Sequence, residues 1–202
     1  MPVLGVTGGI ATGKSTFVRA LIRQIPAQVF DADLAAHELL ADDEATHDAI
    51  REAFGAGVLD AEGKPDRARL REIVFSDGLQ RKRLEDILHP AIRSRWVALA
   101  ENTVRTGGWL CVDIPLLYET GVEANFDRTI VVACSPGTQR RRLQDLRGLD
   151  AALADRMIAA QLDLNLKITK ADHLIWNDST DACLESQVAL LAGWLRTFYG
   201  RN

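Results

Sequence analysis

The chain has 202 residues, enough for one large domain or a core with insertions, and its 47% hydrophobic share supports a packed interior without a disordered tract. A formal charge of −4 leaves no electrostatic footprint for nucleic acid, and Cys111, Cys134 and Cys183 match no metal spacing. No signal peptide precedes the first motif and no apolar run approaches the roughly 18 residues of a membrane span, so a cytoplasmic protein is expected, with no nucleic acid, no membrane and no obligatory protein partner.

Residues 3–6, Val-Leu-Gly-Val, read as a short buried strand. Next come Thr7-Gly8-Gly9-Ile10-Ala11-Thr12-Gly13-Lys14-Ser15-Thr16, and then Phe17, Val18, Leu21, Ile22 and Ile25 as the apolar face of a helix. Gly8, Gly13, Lys14 and Ser15 fill G-x-x-x-x-G-K-[ST], with a strand before it and a helix after it. Glycines let such a loop wrap its N–H groups around phosphate oxygens, and the helix N-terminus adds partial positive charge. Lys14 is expected to reach the β- and γ-phosphates, and the Ser15 hydroxyl to bind Mg²⁺. Thr16 supports the helix start.

Gln28-Val29-Phe30 reads as a second strand, ending in Asp31-Ala32-Asp33. Asp33 is the candidate base for an acceptor hydroxyl. Position alone leaves a second reading open, in which Asp31 or Asp33 caps the helix that begins near Leu34. Residues 34–54 read as helix broken near Asp42-Asp43, residues 55–65 as a glycine-rich loop, and residues 67–75 as helix. Ser76 and Asp77 look like caps for a long helix whose Leu84, Leu88, Ile92 and Trp96 share one face. Pro90 is expected to restart or kink that helix just after His89. His89 and Arg93 lie one turn apart, as a solvated face or as an anion-binding edge.

Gly107-Gly108 stops the helix, and Trp109-Leu110-Cys111-Val112-Asp113 reads as a buried strand ending in an acid. That acid is a candidate Mg²⁺ contact, or a shaper of the turn before Pro115. Residues 129–134 form another apolar strand, and 136–147 and 151–161 two helices rich in basic residues. Arg140, Arg142, Arg147 and Arg156 are candidates to close over ATP as a lid does, or are surface charge. Residues 173–176 read as the last strand and 183–198 as a final helix. Buried strands alternating with helices predict an α/β fold with a parallel central sheet, which gathers ligands at the carboxyl ends of its strands.

With those motifs in place, the chain resembles the dephospho-CoA kinase family over essentially its whole length. The resemblance rests on Gly5-Val6-Thr7-Gly8-Gly9-Ile10, on Asp31-Ala32-Asp33 with Ala36-His37-Glu38-Leu39, and on Asp66-Arg67 with Leu70, Ile73, Val74 and Phe75. It continues in Leu88-His89-Pro90, Ile92-Arg93 and Asp113-Ile114-Pro115-Leu116-Leu117-Tyr118-Glu119, with Tyr118 where Phe is usual. Thr138-Gln139, Arg142-Leu143, Arg156-Met157 and Gln161 fit the family's lid, and Asn177 its adenine-contacting position. Where the family carries Arg-Asp after the first lid helix, this chain has Leu146-Arg147, and the usual Asp-Asn near adenine is Trp176-Asn177.

The resemblance implies a P-loop NTPase fold, a three-layer α/β/α core with a helical substrate-domain insertion and a helical lid. The single kinase domain would then comprise a core of about residues 1–33, 107–135 and 171–202, a CoA-domain insertion of about 34–106 and a lid of about 136–170. It also implies ATP and dephospho-CoA as substrates with Mg²⁺ as cofactor, Asp33 as base, His89 and Arg93 at the acceptor, and transfer to a ribose 3′-hydroxyl. Two rival readings share the first loop. One is another small-molecule kinase of the nucleoside monophosphate kinase type. The other is a GTP-driven switch, to which Asp60-Ala-Glu-Gly63, Asp145-Leu-Arg-Gly148 and Thr169-Lys-Ala-Asp172 bear a superficial likeness.

Overall fold

A computed structural model describes residues 2–200, less the side chains of Phe75 and Ser76. The expected cap at Ser76 therefore lies outside the described residues. The apolar N-terminus forms β1 (Val3–Gly8), buried along its whole length, and the chain then turns into α1 (Lys14–Ile22).

After α1 come β2 (Ala27–Asp31), α2 (Ala32–Asp42), α3 (Glu44–Phe54), α4 (Arg67–Ser76) and α5 (Gly78–Arg105). The remaining elements are β3 (Trp109–Asp113), β4 (Arg128–Ala133), α6 (Pro136–Arg147), α7 (Ala151–Ala159), α8 (Leu164–Lys170), β5 (His173–Trp176) and α9 (Asp181–Tyr199). The chain divides into two compact units, Met1–Phe30 with Ala100–Asn202, and Asp31–Leu99.

The first unit carries one sheet in the order β2-β3-β1-β4-β5, with parallel β1–β3, β1–β4 and β4–β5 pairs. Parallel strands end on the same edge. Val6 pairs with Asp113, Gly8 with Val132 and Ala133 with Trp176, so the first loop, Asp113, Ser135 and Asn177 all leave from that edge. Leu4 and Val6 of β1, Ile130 and Val132 of β4, Phe17 and Leu21 of α1, and Leu184, Val188 and Leu195 of α9 build the main core. Burial pushes the Cys111 thiol up to about 12 and the Cys134 thiol up to about 11, which makes both inert core residues.

The second unit is helical. Ile50, Val58 and Leu70 form its centre, with Leu40, Phe54, Ile73, Leu84 and Ile87 packed around them. Asp43 caps α3 and Asp66 caps α4, each by accepting backbone N–H bonds. The Asp60 carboxylate folds residues 60–64 into a turn, accepting from Glu62 N and Lys64 N at 2.9 Å each. His47 is buried, its Nε2 3.0 Å from the Leu40 carbonyl.

Two expectations change. α5 does not restart at Pro90 but continues from Gly78 to Arg105, because one missing N–H removes a single ladder bond from a helix of 28 residues. Ile22 is 37% exposed and Ile25 lies beyond the end of α1, where it is nonetheless buried, so the apolar face of that helix is Phe17, Val18, Ala20 and Leu21. Beyond α7, in a stretch with no expected element, Asp163 caps the separate helix α8 through Asn165 N and Leu166 N. No helix among the described residues is long and apolar enough to cross a membrane.

Candidate active site

The loop between β1 and α1 is held open by its surroundings. Gly13 precedes α1 in the left-handed region with φ 90°, and Ala11 is left-handed as well at φ 58°. Ala11 is the one non-glycine residue with positive φ among those described. Left-handed residues alternating with right-handed ones make an anion-binding nest of backbone N–H groups. The Thr12 hydroxyl locks the turn by donating to Gly9 O at 2.8 Å.

Four side chains from later in the chain grip this loop. Gln139 of α6 donates Nε2 to Ile10 O at 2.8 Å, and Gln161 accepts from Ile10 N at 2.8 Å. Arg142 donates to Ala11 O at 3.2 Å, to Thr12 O at 3.1 Å and to Asn177 O at 3.0 Å. Asn177, buried after β5, donates Nδ2 to Thr12 O at 2.8 Å. The carbonyls of Ile10, Ala11 and Thr12 are thus all committed to protein donors. In a trans peptide the next N–H points the opposite way, so the Ala11 and Gly13 N–H groups face away from the donors that hold the carbonyls before them.

Gly13 has no room for a side chain. A Cβ there would collide with Asn177 Nδ2, and the positive φ disfavours any L-residue. Gly13→Ala is expected to lower the melting temperature, measured by thermal unfolding.

Lys14 opens α1 and pairs with Asp113 Oδ1, the side chains being 13% and 5% exposed. A cation and an acid therefore meet at the carboxyl ends of β1 and β3. Ser15 and Thr16 lie on the first turn of α1, Ser15 and Thr16 both exposed. Asp178, just beyond Asn177, is held below its ordinary 3.8 by the Thr138 hydroxyl and by Ser135, whose N–H and Oγ both donate to it.

The basic helices divide. Arg142 is spent on the loop. Arg140 pairs with Asp155 at 2.6 Å and so ties α6 to α7 at the surface. Arg147, in the last turn of α6, and Arg156 are exposed. Lys167 of α8 has no motif to announce it, yet it is fully buried against Gly8 O, Pro115 O and Glu119.

In the second unit the ambiguity between Asp31 and Asp33 resolves. Asp31 is the cap, accepting from Asp33 N at 2.9 Å and Leu34 N at 3.0 Å. Asp33 lies in the first turn of α2 with its side chain exposed. His89 is half-buried and Arg93 exposed, one turn apart on α5.

A family model described as Dephospho-CoA kinase matches residues 2–182. The chain belongs to the dephospho-CoA kinase family. It is 40% identical over 193 residues to a Dephospho-CoA kinase of Geobacillus kaustophilus, covering 95% of this chain and 96% of that one. Against a Dephospho-CoA kinase of Anaeromyxobacter dehalogenans the identity is 41% over 206 residues, with 100% and 96% covered. The solved Dephospho-CoA kinase from Campylobacter jejuni superposes with a TM-score of 0.72 at 26% identity, covering 97% of this chain and 98% of that one. Membership of this kinase family removes the GTP-switch reading. The structure agrees, since Asp172 precedes β5 and accepts from Thr129 N and Oγ1 at 2.7 and 2.9 Å. The dephospho-CoA kinase motif Asp113 to Glu119 tolerates its Tyr118 because the extra hydroxyl finds Thr129 Oγ1 at 3.1 Å.

Proposed function

We propose that the protein transfers the γ-phosphoryl group of ATP to the ribose 3′-hydroxyl of dephospho-CoA, giving CoA and ADP, the final step of coenzyme A biosynthesis. The observation that carries this reading is the braced loop with Lys14 and Asp113 paired at its edge, in a chain matched to the family over residues 2–182. Phosphoryl transfer asks the protein for positioning and charge neutralisation more than for covalent chemistry.

Residues 8–16 cradle the ATP phosphates, and the Lys14 ammonium neutralises their oxygens. Asp33 accepts the proton of the attacking hydroxyl; with Asp31 committed to the cap, the Asp33 carboxylate is left for that task. His89 and Arg93 hold the acceptor. Asn177 backs the loop and borders the adenine. Of the lid arginines, Arg142 acts by holding the loop and Arg140 ties α6 to α7 through Asp155, whereas Arg147 is exposed and is the one to meet ATP.

The donor set suits Mg²⁺, since Ser15 and Asp113 offer hard oxygens. Among the described residues no group of three or more His, Cys, Asp or Glu side chains is gathered for a metal. A partial shell of this kind matches an ion that arrives on ATP phosphates and keeps waters. Ser15 and Asp113 would hold the ion, which would supply positive charge to offset the charge that develops during phosphoryl transfer. A cytoplasmic location, and work without nucleic acid, membrane or an obligatory protein partner, complete the reading.

The deciding measurement is ADP release with dephospho-CoA, AMP, shikimate or no acceptor. Stimulation by dephospho-CoA alone is expected. Equal stimulation by AMP, or none by dephospho-CoA, would overturn the acceptor.

A further inference from the structure

Lys167 is 0% exposed, in a chain whose other lysines near the site are surface groups or, like Lys14, at its mouth. Its Nζ lies 2.9 Å from Pro115 O, 3.4 Å from Gly8 O and 2.7 Å from Glu119 Oε1. An ammonium has three donors and no acceptor, so each donor has a partner and the charge has a counter-ion.

The partners are placed at separate parts of the site. Gly8 ends β1 and opens the phosphate loop. Pro115 stands two residues after Asp113, and its carbonyl also accepts from the Thr7 hydroxyl at 3.0 Å. Glu119 accepts from Leu162 N at 3.0 Å, next to the Gln161 that holds Ile10. One buried ammonium therefore joins the start of the phosphate loop, the exit of β3 and the segment that leads into α8. Gly8 is also closely packed against β4, where an added Cβ would strike Val132 O.

We propose that Lys167 is a positioning residue for the phosphoryl transfer. Its ammonium sets the spacing between the loop at Gly8 and the Lys14–Asp113 corner at Pro115, and through Glu119 it makes that spacing depend on the docking of residues 161–167. The proposal rests on the reading of the protein as a dephospho-CoA kinase. Phosphoryl transfer is sensitive to such spacing because its catalysis is alignment and preorganised charge.

The experiment compares wild type with Lys167→Met, Glu119→Gln and the double variant Lys167→Met/Glu119→Leu. Melting temperature, ATP affinity by calorimetry, kcat and the KM for dephospho-CoA are measured for each. Lys167→Met is expected to weaken ATP binding roughly tenfold and to lower kcat roughly 30-fold, with the KM for dephospho-CoA within about twofold of wild type. The double variant removes both charges and is expected to regain most of the melting temperature without regaining kcat. If Lys167→Met does not fold, Glu119→Gln, which keeps an acceptor oxygen for the ammonium, carries the decision with an expected kcat loss of roughly fivefold.

A folded Lys167→Met protein with wild-type ATP affinity and kcat overturns the proposal. So does a double variant whose kcat returns together with its melting temperature, because a purely structural pair behaves that way. Wild-type protein inert on dephospho-CoA overturns the acceptor assignment instead, and the ATP-affinity measurement then still decides the role of Lys167.

Discussion

Asp33→Asn is expected to lower kcat by roughly 10²- to 10⁴-fold, the usual worth of a positioned general base. ATP affinity should stay within about twofold, because the substitution keeps size and shape and touches no phosphate-binding group. The structure sharpens this expectation. A cap residue and a base are both short acids near a helix start, and replacing a cap costs stability, typically about 1 kcal/mol. Here the cap is Asp31, which accepts the N–H groups of Asp33 and Leu34. Asp33→Asn should therefore leave the melting temperature close to wild type, while Asp31→Ala should lower it. A coupled ADP-release assay with calorimetric ATP titration separates the cases. Near-wild-type turnover in Asp33→Asn would remove Asp33 from the chemistry.

Lys14→Met should be at least as damaging, with kcat/KM for ATP falling by roughly 10³-fold or more through loss of charge stabilisation at the transferred group. The ammonium is paired with Asp113, and both side chains are largely shielded from water. Its removal takes the counter-charge away from that shielded carboxylate. Breaking a buried pair from one side costs about 3–5 kcal/mol. A lowered melting temperature is thus expected of Lys14→Met, measured by thermal unfolding beside wild type. Single-turnover kinetics would check the chemical step, and a rate within tenfold of wild type would show that Lys14 is not used on the phosphates.

Much of the fold is legible because its signals are local. β1, β3 and β4 are continuous apolar runs, which a parallel sheet buried on both faces demands. The loop motif is legible for a similar reason, since it needs only its own glycines, Lys14 and Ser15. α8 is harder to see, with seven residues, a short polar sequence and a start set by one Asp163 side chain. Pro90 misleads because a propensity rule acts on one bond, while a long helix is held by many.

The side chains that brace the loop show the limit more sharply. Gln139, Gln161 and Asn177 stand at positions that the family resemblance marks, yet their partners are Ile10 and Thr12, more than 125 residues away in sequence. Lys167 has no marker at all. A lysine in a short polar helix reads as a solvated face, and a buried one is the exception.

By itself the sequence determined the strands and most of the helices along the chain, the phosphate-binding loop and the kinase family, because periodicity and short motifs are properties of neighbouring residues. Only the tertiary structure decided which acid caps α2, which arginine grips the loop, and that Lys167 is buried beneath Gly8 against Glu119. The physical reason is the cost of burying a polar group, which is met only when chain folding brings partners from far away within hydrogen-bonding distance.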